Sequence, residues 1–156
     1  MSSLPKILHI EDDSLIARLV ATRLKPRAEM VWVSNSDDAI AELQRTDIQF
    51  SAVLVDIELK GSRLSGAEFV KLMRGIRESQ VGITTSTGLH TAASVLPYIL
   101  LSAVITPDLE TRAKAWGVHA LLNKPIRFGA LEDALTSAGV PLAGAAAAGY
   151  STLKRS

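Results

Sequence analysis

Residues 7–19 read ILHIEDDSLIARL. A strand-like apolar run stops at three consecutive acids, Glu11, Asp12 and Asp13, and a helix-like pattern starts immediately afterwards. Carboxylates side by side at the end of a buried strand repel one another, so their presence calls for a compensating cation.

The same alternation repeats along the chain. Apolar runs at 6–11, 30–34, 52–57, 98–104 and 119–124 read as strands. Most are apolar on consecutive positions, as suits strands buried on both faces of a parallel sheet. Helical patterns separate them at 14–25, 37–45, 66–78, 107–116 and 127–138. Their ends carry their own signals. Pro26 stops the first, and Asn35 or Ser36 caps the second. Ser65 and Glu68 form a capping box on the third. Thr106, Pro107 and Gly117 bound the fourth, and Gly139 stops the fifth. Five strand–helix units predict an α/β fold, a doubly wound (βα)5 flavodoxin-like sandwich with right-handed crossovers. Its expected strand order, 2-1-3-4-5, is the known order of that fold, with a site at the carboxyl ends of the strands.

The strand ends carry the chemistry. Glu11 and Asp12 follow the first strand, Asp56 ends the third, Ser102 the fourth, and Lys124 with Pro125 the fifth. A hard cation such as Mg2+ takes oxygen ligands and needs only one or two carboxylates. A carboxylate can attack phosphorus to form an acyl phosphate. A cation, a lysine and a hydroxyl can then hold the transferred oxygens.

In this order — acid pair, Asp, Ser, Lys-Pro — the residues resemble the response-regulator receiver domain of two-component signalling, over about residues 5–138. The spacings of 44 residues from Asp12 to Asp56 and 22 from Ser102 to Lys124 are typical of that family, and Gly66 resembles the glycine opening its third helix. The resemblance implies that Asp56 accepts a phosphoryl group from a histidine kinase or phosphotransfer protein. It implies Mg2+ held by Asp12, Asp56 and the Glu58 backbone carbonyl, with Glu11 acting through water. Lys124, Ser102 and Ala103 would meet the phosphoryl group, and Pro125 is the candidate for a cis peptide. The chain departs from the family pattern in Leu121, where an aromatic switch residue is common, and in a longer loop after Asp56.

The net charge of +1 leaves no basic footprint for nucleic acid. The absence of cysteine excludes disulfides and thiolate metal sites. The start lacks a signal-peptide pattern, and no apolar run reaches the ~18 residues of a membrane span. The expectation is therefore a soluble cytoplasmic protein, not a classical enzyme, with an unidentified output protein as partner; a second copy of the chain also stays open. Asp13 reads as a helix cap. His9, His90 and His119 lack metal-ligand spacing, and Trp32 and Trp116 read as packing residues. Residues 79–97 form an insertion, and 139–156 an Ala/Gly-rich tail. Three other readings compete: a pseudo-receiver binding module, the receiver portion of a longer hybrid protein, and a haloacid-dehalogenase-like phosphatase. The last fits poorly, because its nucleophile follows the first strand and its acid pair comes late.

Overall fold

The computed structural model describes residues 3–76 and 93–144. Most of the insertion, 79–92, and the tail beyond residue 144 lie outside the described residues. Five strands form one sheet: β1 (Lys6–Ile10), β2 (Glu29–Val33), β3 (Phe50–Asp56), β4 (Tyr98–Ser102) and β5 (Ala120–Asn123). The order is β2-β1-β3-β4-β5, with all neighbours parallel. The helices are α1 (Ser14–Leu24), α2 (Ser36–Leu43), α3 (Gly66–Met73), α4 (Pro107–Ala115) and α5 (Phe128–Ser137). This is the doubly wound α/β sandwich expected from the alternation.

Side-chain alternation along the strands divides the core into two layers. Leu8 and Ile10 of β1, Val53 and Val55 of β3, and Tyr98 and Leu100 of β4 face one side. There they pack with Ala39 of α2, Phe69, Val70 and Met73 of α3, and Ala113 of α4. Ile7, Leu54, Ile99 and Leu101 face the other side, against Val20 and Leu24 of α1 and Leu131 and Leu135 of α5. Burial on both faces, expected of most of the runs, holds for β1, β3 and β4, whereas β2 and β5 at the sheet edges are only partly buried.

Most boundaries follow the local signals. Asp13 caps α1 by accepting from the amides of Leu15 and Ile16, and Asn35 caps α2. Both halves of the Ser65–Glu68 capping box are formed. Thr106 caps α4, with Pro107 in its first turn. Helix α3 is shorter than the predicted 66–78, because Gly75 at φ 80° turns the chain out of the helix. The start of the tail also differs from expectation. Val140 and Leu142 are buried in the α1–α5 layer, and the Ala143 amide donates to the Arg27 carbonyl at 3.1 Å. Composition alone assigns these residues to a loose extension, but two branched apolar side chains in it suffice to seal the core end.

Candidate phosphoacceptor and cation site

Strand register brings the acids together. Ile10 of β1 pairs with Val55 of β3, so Glu11 and Asp56 emerge side by side at the carboxyl edge. Gly66 fixes the Asp56 backbone from the far side of the loop. Its amide donates to the Ile57 carbonyl at 2.9 Å, and a Cβ on it would lie 2.0 Å from the Asp56 carbonyl oxygen. Only glycine permits that approach.

Lys124 reaches the pair from β5. Its amide donates to the Ser102 carbonyl at 2.8 Å, which anchors the end of β5 to that of β4. Its Nζ lies 2.7 Å from Asp56 Oδ2 and 3.5 Å from Glu11 Oε1. The Lys124–Pro125 peptide bond is cis. The other Asp56 oxygen, Oδ1, accepts from the Glu58 amide at 3.2 Å. Asp12, more open to solvent, accepts from the Lys60 amide at 3.1 Å. Glu11, Asp12, Asp56, Glu58, Lys60 and Lys124 line one pocket of about 190 Å³, together with Asp13, Ile16, Ile57 and Ala103.

Glu11 is completely buried. Burial, then the adjoining Asp56 carboxylate, pushes its carboxyl up to about 8, so without a cation it holds a proton at neutral pH. Burial also opposes the Lys124 charge. The hydrogen bond to Asp56 and the nearby Glu11 outweigh it, and the ammonium is held above the usual lysine value. His9 lies two residues before Glu11 on β1, 1% exposed, and burial followed by the Lys124 charge lowers it to about 4.

Glu11, Asp12 and Asp56 each offer an oxygen, and these atoms lie within 4.8 Å of one another. Glu11 Oε1 is buried with no hydrogen-bond partner. An all-oxygen donor set with one unsatisfied buried carboxylate oxygen fits a hard divalent cation such as Mg2+.

Ala103 and Glu58 line the pocket. Ser102 ends β4, but its hydroxyl donates to the Val104 carbonyl at 2.7 Å rather than to an acid. Leu121 lies on β5 and lines a separate groove with Ile105, Lys114 and His119. Trp116 packs in the core as expected. Trp32 does not: it is 45% exposed on edge strand β2 and donates its indole N–H to the Glu11 carbonyl at 2.7 Å. Sequence reasoning missed Trp32 and Lys60 as neighbours of the acids. The Lys60 contact is made by the backbone and leaves no side-chain signal. His9 does leave one, as a polar residue inside the apolar run of β1.

No protein-family model matches the chain. A search of curated proteins finds the sensory/regulatory protein RpfC of Xanthomonas campestris pv. campestris, 26% identical over 133 residues. That match covers 84% of this chain, but the chain spans only 16% of the length of the relative. Solved structures agree on the fold. The chemotaxis protein CheY4 of Vibrio cholerae superposes with a TM-score of 0.69 at 21% identity, over 87% of this chain and 99% of that one. The receiver domain of the Francisella response regulator 1452 gives 0.68 at 18% identity, over 86% and 95%. A sensor protein from Polaromonas sp. JS666 gives 0.66 at 25% identity, over 86% and 94%. The chain has the fold of response-regulator receiver domains.

Proposed function

We propose that this chain is a phosphorylatable receiver of two-component signalling, taking a phosphoryl group on Asp56 from a histidine kinase or histidine phosphotransfer protein. The observation that carries the reading is the Asp56 carboxylate, held at 2.7 Å from Lys124 beside the carboxyls of Glu11 and Asp12 in one pocket. Asp12, Asp56 and the Glu58 carbonyl would hold Mg2+, with Glu11 acting through water. The cation supplies charge neutralisation for the incoming phosphoryl oxygens.

An Asp56 carboxylate oxygen attacks phosphorus in line. The bond from phosphorus to the donor imidazole nitrogen breaks as the acyl–phosphate bond forms, and the imidazole leaves with its electron pair. Lys124 moves from the Asp56 carboxylate to a phosphoryl oxygen, where it acts as a point charge. The Ser102 hydroxyl leaves the Val104 carbonyl and donates to another phosphoryl oxygen, drawing the β4–α4 connection with it. Partner binding follows that movement.

The test is to incubate the chain with Mg2+ and acetyl phosphate and look for one acid-stable, base-labile phosphoryl group. Asp56→Asn should remain folded and take no label. Equal labelling of that variant would refute Asp56 as the acceptor. A folded wild-type chain that takes no label would favour a binding module on the same fold.

A further inference from the structure

We propose that His9 is the positioning residue for Glu11: when the cation is bound, its imidazole Nε2–H donates to Glu11 Oε1 and fixes the carboxyl group facing the pocket. The inference rests on the cation-dependent reading of the site and adds a residue to it. His9 and Glu11 are two apart on β1 and its extension, so their side chains leave the same face of the sheet. That face is otherwise apolar, built from Ile7, Leu54, Ile99 and Leu101. His9 is paired in register with Trp32 on one side and Leu54 on the other. An imidazole 1% exposed in such a layer is costly unless its nitrogens are used.

In this structure they are not. Among the described residues, the buried side-chain polar atoms without a hydrogen-bond partner are His9 Nδ1, His9 Nε2 and Glu11 Oε1. Two of them, Nε2 and Oε1, face each other at 4.0 Å. Buried groups of this kind are normally satisfied, so a donor and an acceptor left unpaired side by side need a reason. The other Glu11 oxygen, Oε2, is already fixed by the Asp13 amide at 3.2 Å. Among the described residues the cation beside Oε1 is Lys124 at 3.5 Å, which Asp56 engages more closely. A swing of the carboxyl by about 1 Å closes the gap to an ordinary N–H···O length. Such outer partners orient the groups around a metal and typically contribute 10–100-fold to its affinity.

Calorimetric titration with Mg2+ tests this on the intact chain. His9→Leu, which keeps bulk and removes the donor, should weaken Mg2+ binding about 10–100-fold. His9→Gln, which retains an N–H, should recover most of it. In a chain with 15N-labelled histidine, Mg2+ should shift the His9 Nε2 resonance. Where His9→Leu does not fold, by circular dichroism, His9→Met removes the donor with a more adaptable side chain and is read on the same terms. Wild-type affinity in the folded Leu or Met variant overturns the inference, as does a Gln variant as weak as Leu. A wild-type chain that binds no Mg2+ overturns the reading of the pocket and this inference together. Tight wild-type binding with unaltered variants overturns the inference alone.

Discussion

Glu11 has no solvent exposure, one unpartnered oxygen and a neighbouring carboxylate, and each favours its neutral form. This gives the cation-free protein a definite pH dependence. Glu11 titrates near 4.5 unfolded and about 8 folded, so the folded state binds the extra proton between those values and its contribution to stability is lost as pH rises. His9 acts in the opposite sense between about 4 and 6.5, where the unfolded state binds more protons and stability grows with pH. The two offset each other up to about 6.5, and above it only Glu11 is left. Stability measured by urea without a divalent cation should therefore fall between pH 6.5 and 8, by at most about 2 kcal/mol. Glu11→Gln should flatten that decline, and a decline of equal size in the variant would refute the assignment. Trp32 gives a second, optical handle. Its indole N–H is bonded to the Glu11 carbonyl, so adding Mg2+ should change its fluorescence. Trp116→Phe should keep the response and Trp32→Phe should lose it; the reverse pattern would place the reporter elsewhere.

Glycines test how each element is held. In α3, Gly66 is pressed against the Asp56 backbone, so Gly66→Ala must displace one or the other. It should cost about 1–3 kcal/mol or more and weaken Mg2+ binding through the misplaced Asp56. In α5, a methyl added at Gly129 would meet nothing within 4 Å, and Gly129→Ala should be neutral or stabilising by up to about 1 kcal/mol. Thermal melts of the two variants decide the point, and similar effects would mean that the contact at Gly66 is not what holds Asp56. Helix starts were legible in the sequence because caps act locally: Asp13, Asn35, Ser65 and Thr106 each bond an amide two or three residues on. The loop after β3 was less legible. Its length was evident, but not its anchoring on α2. Ser62 bonds Ser36, the Leu64 amide donates to Ser36, and Arg63 pairs with Asp37 at 2.6 Å. Such contacts between segments far apart in the chain leave no periodic trace in sequence.

At the scale of the whole molecule, the sheet separates two ends. The acids occupy the carboxyl edge. Residues 93–97 rejoin the sheet at the opposite edge, where the Pro97 carbonyl accepts from the Val53 amide at 3.0 Å and β4 begins at Tyr98. From Tyr98, opposite Val53, to Leu101, opposite Asp56, is three residues, or roughly 10 Å of strand. The returning chain has its own fixings there. The Tyr98 hydroxyl donates to the Ala93 carbonyl at 2.8 Å, and Arg74 donates to the carbonyls of Ser94 and Trp116. The alternation of elements made the return of residues 93–97 at this edge legible from sequence, since helix-to-strand connections lie away from the strand carboxyl ends. The fixings were not legible, because they depend on which backbone carbonyls meet the Arg74 side chain. Replacing 79–92 with a short Gly/Ser turn, while leaving Ile76 and Ala93 in place, should therefore leave Mg2+ affinity and Asp56 labelling unchanged. Calorimetry and phosphate incorporation read the two quantities directly. Circular dichroism establishes that the variant is folded, and sedimentation shows whether the segment carries self-association. Lost labelling in a folded variant would mean that the insertion reaches the carboxyl edge after all. Retained labelling with altered self-association would instead assign the segment to contact between copies at the far end of the sheet.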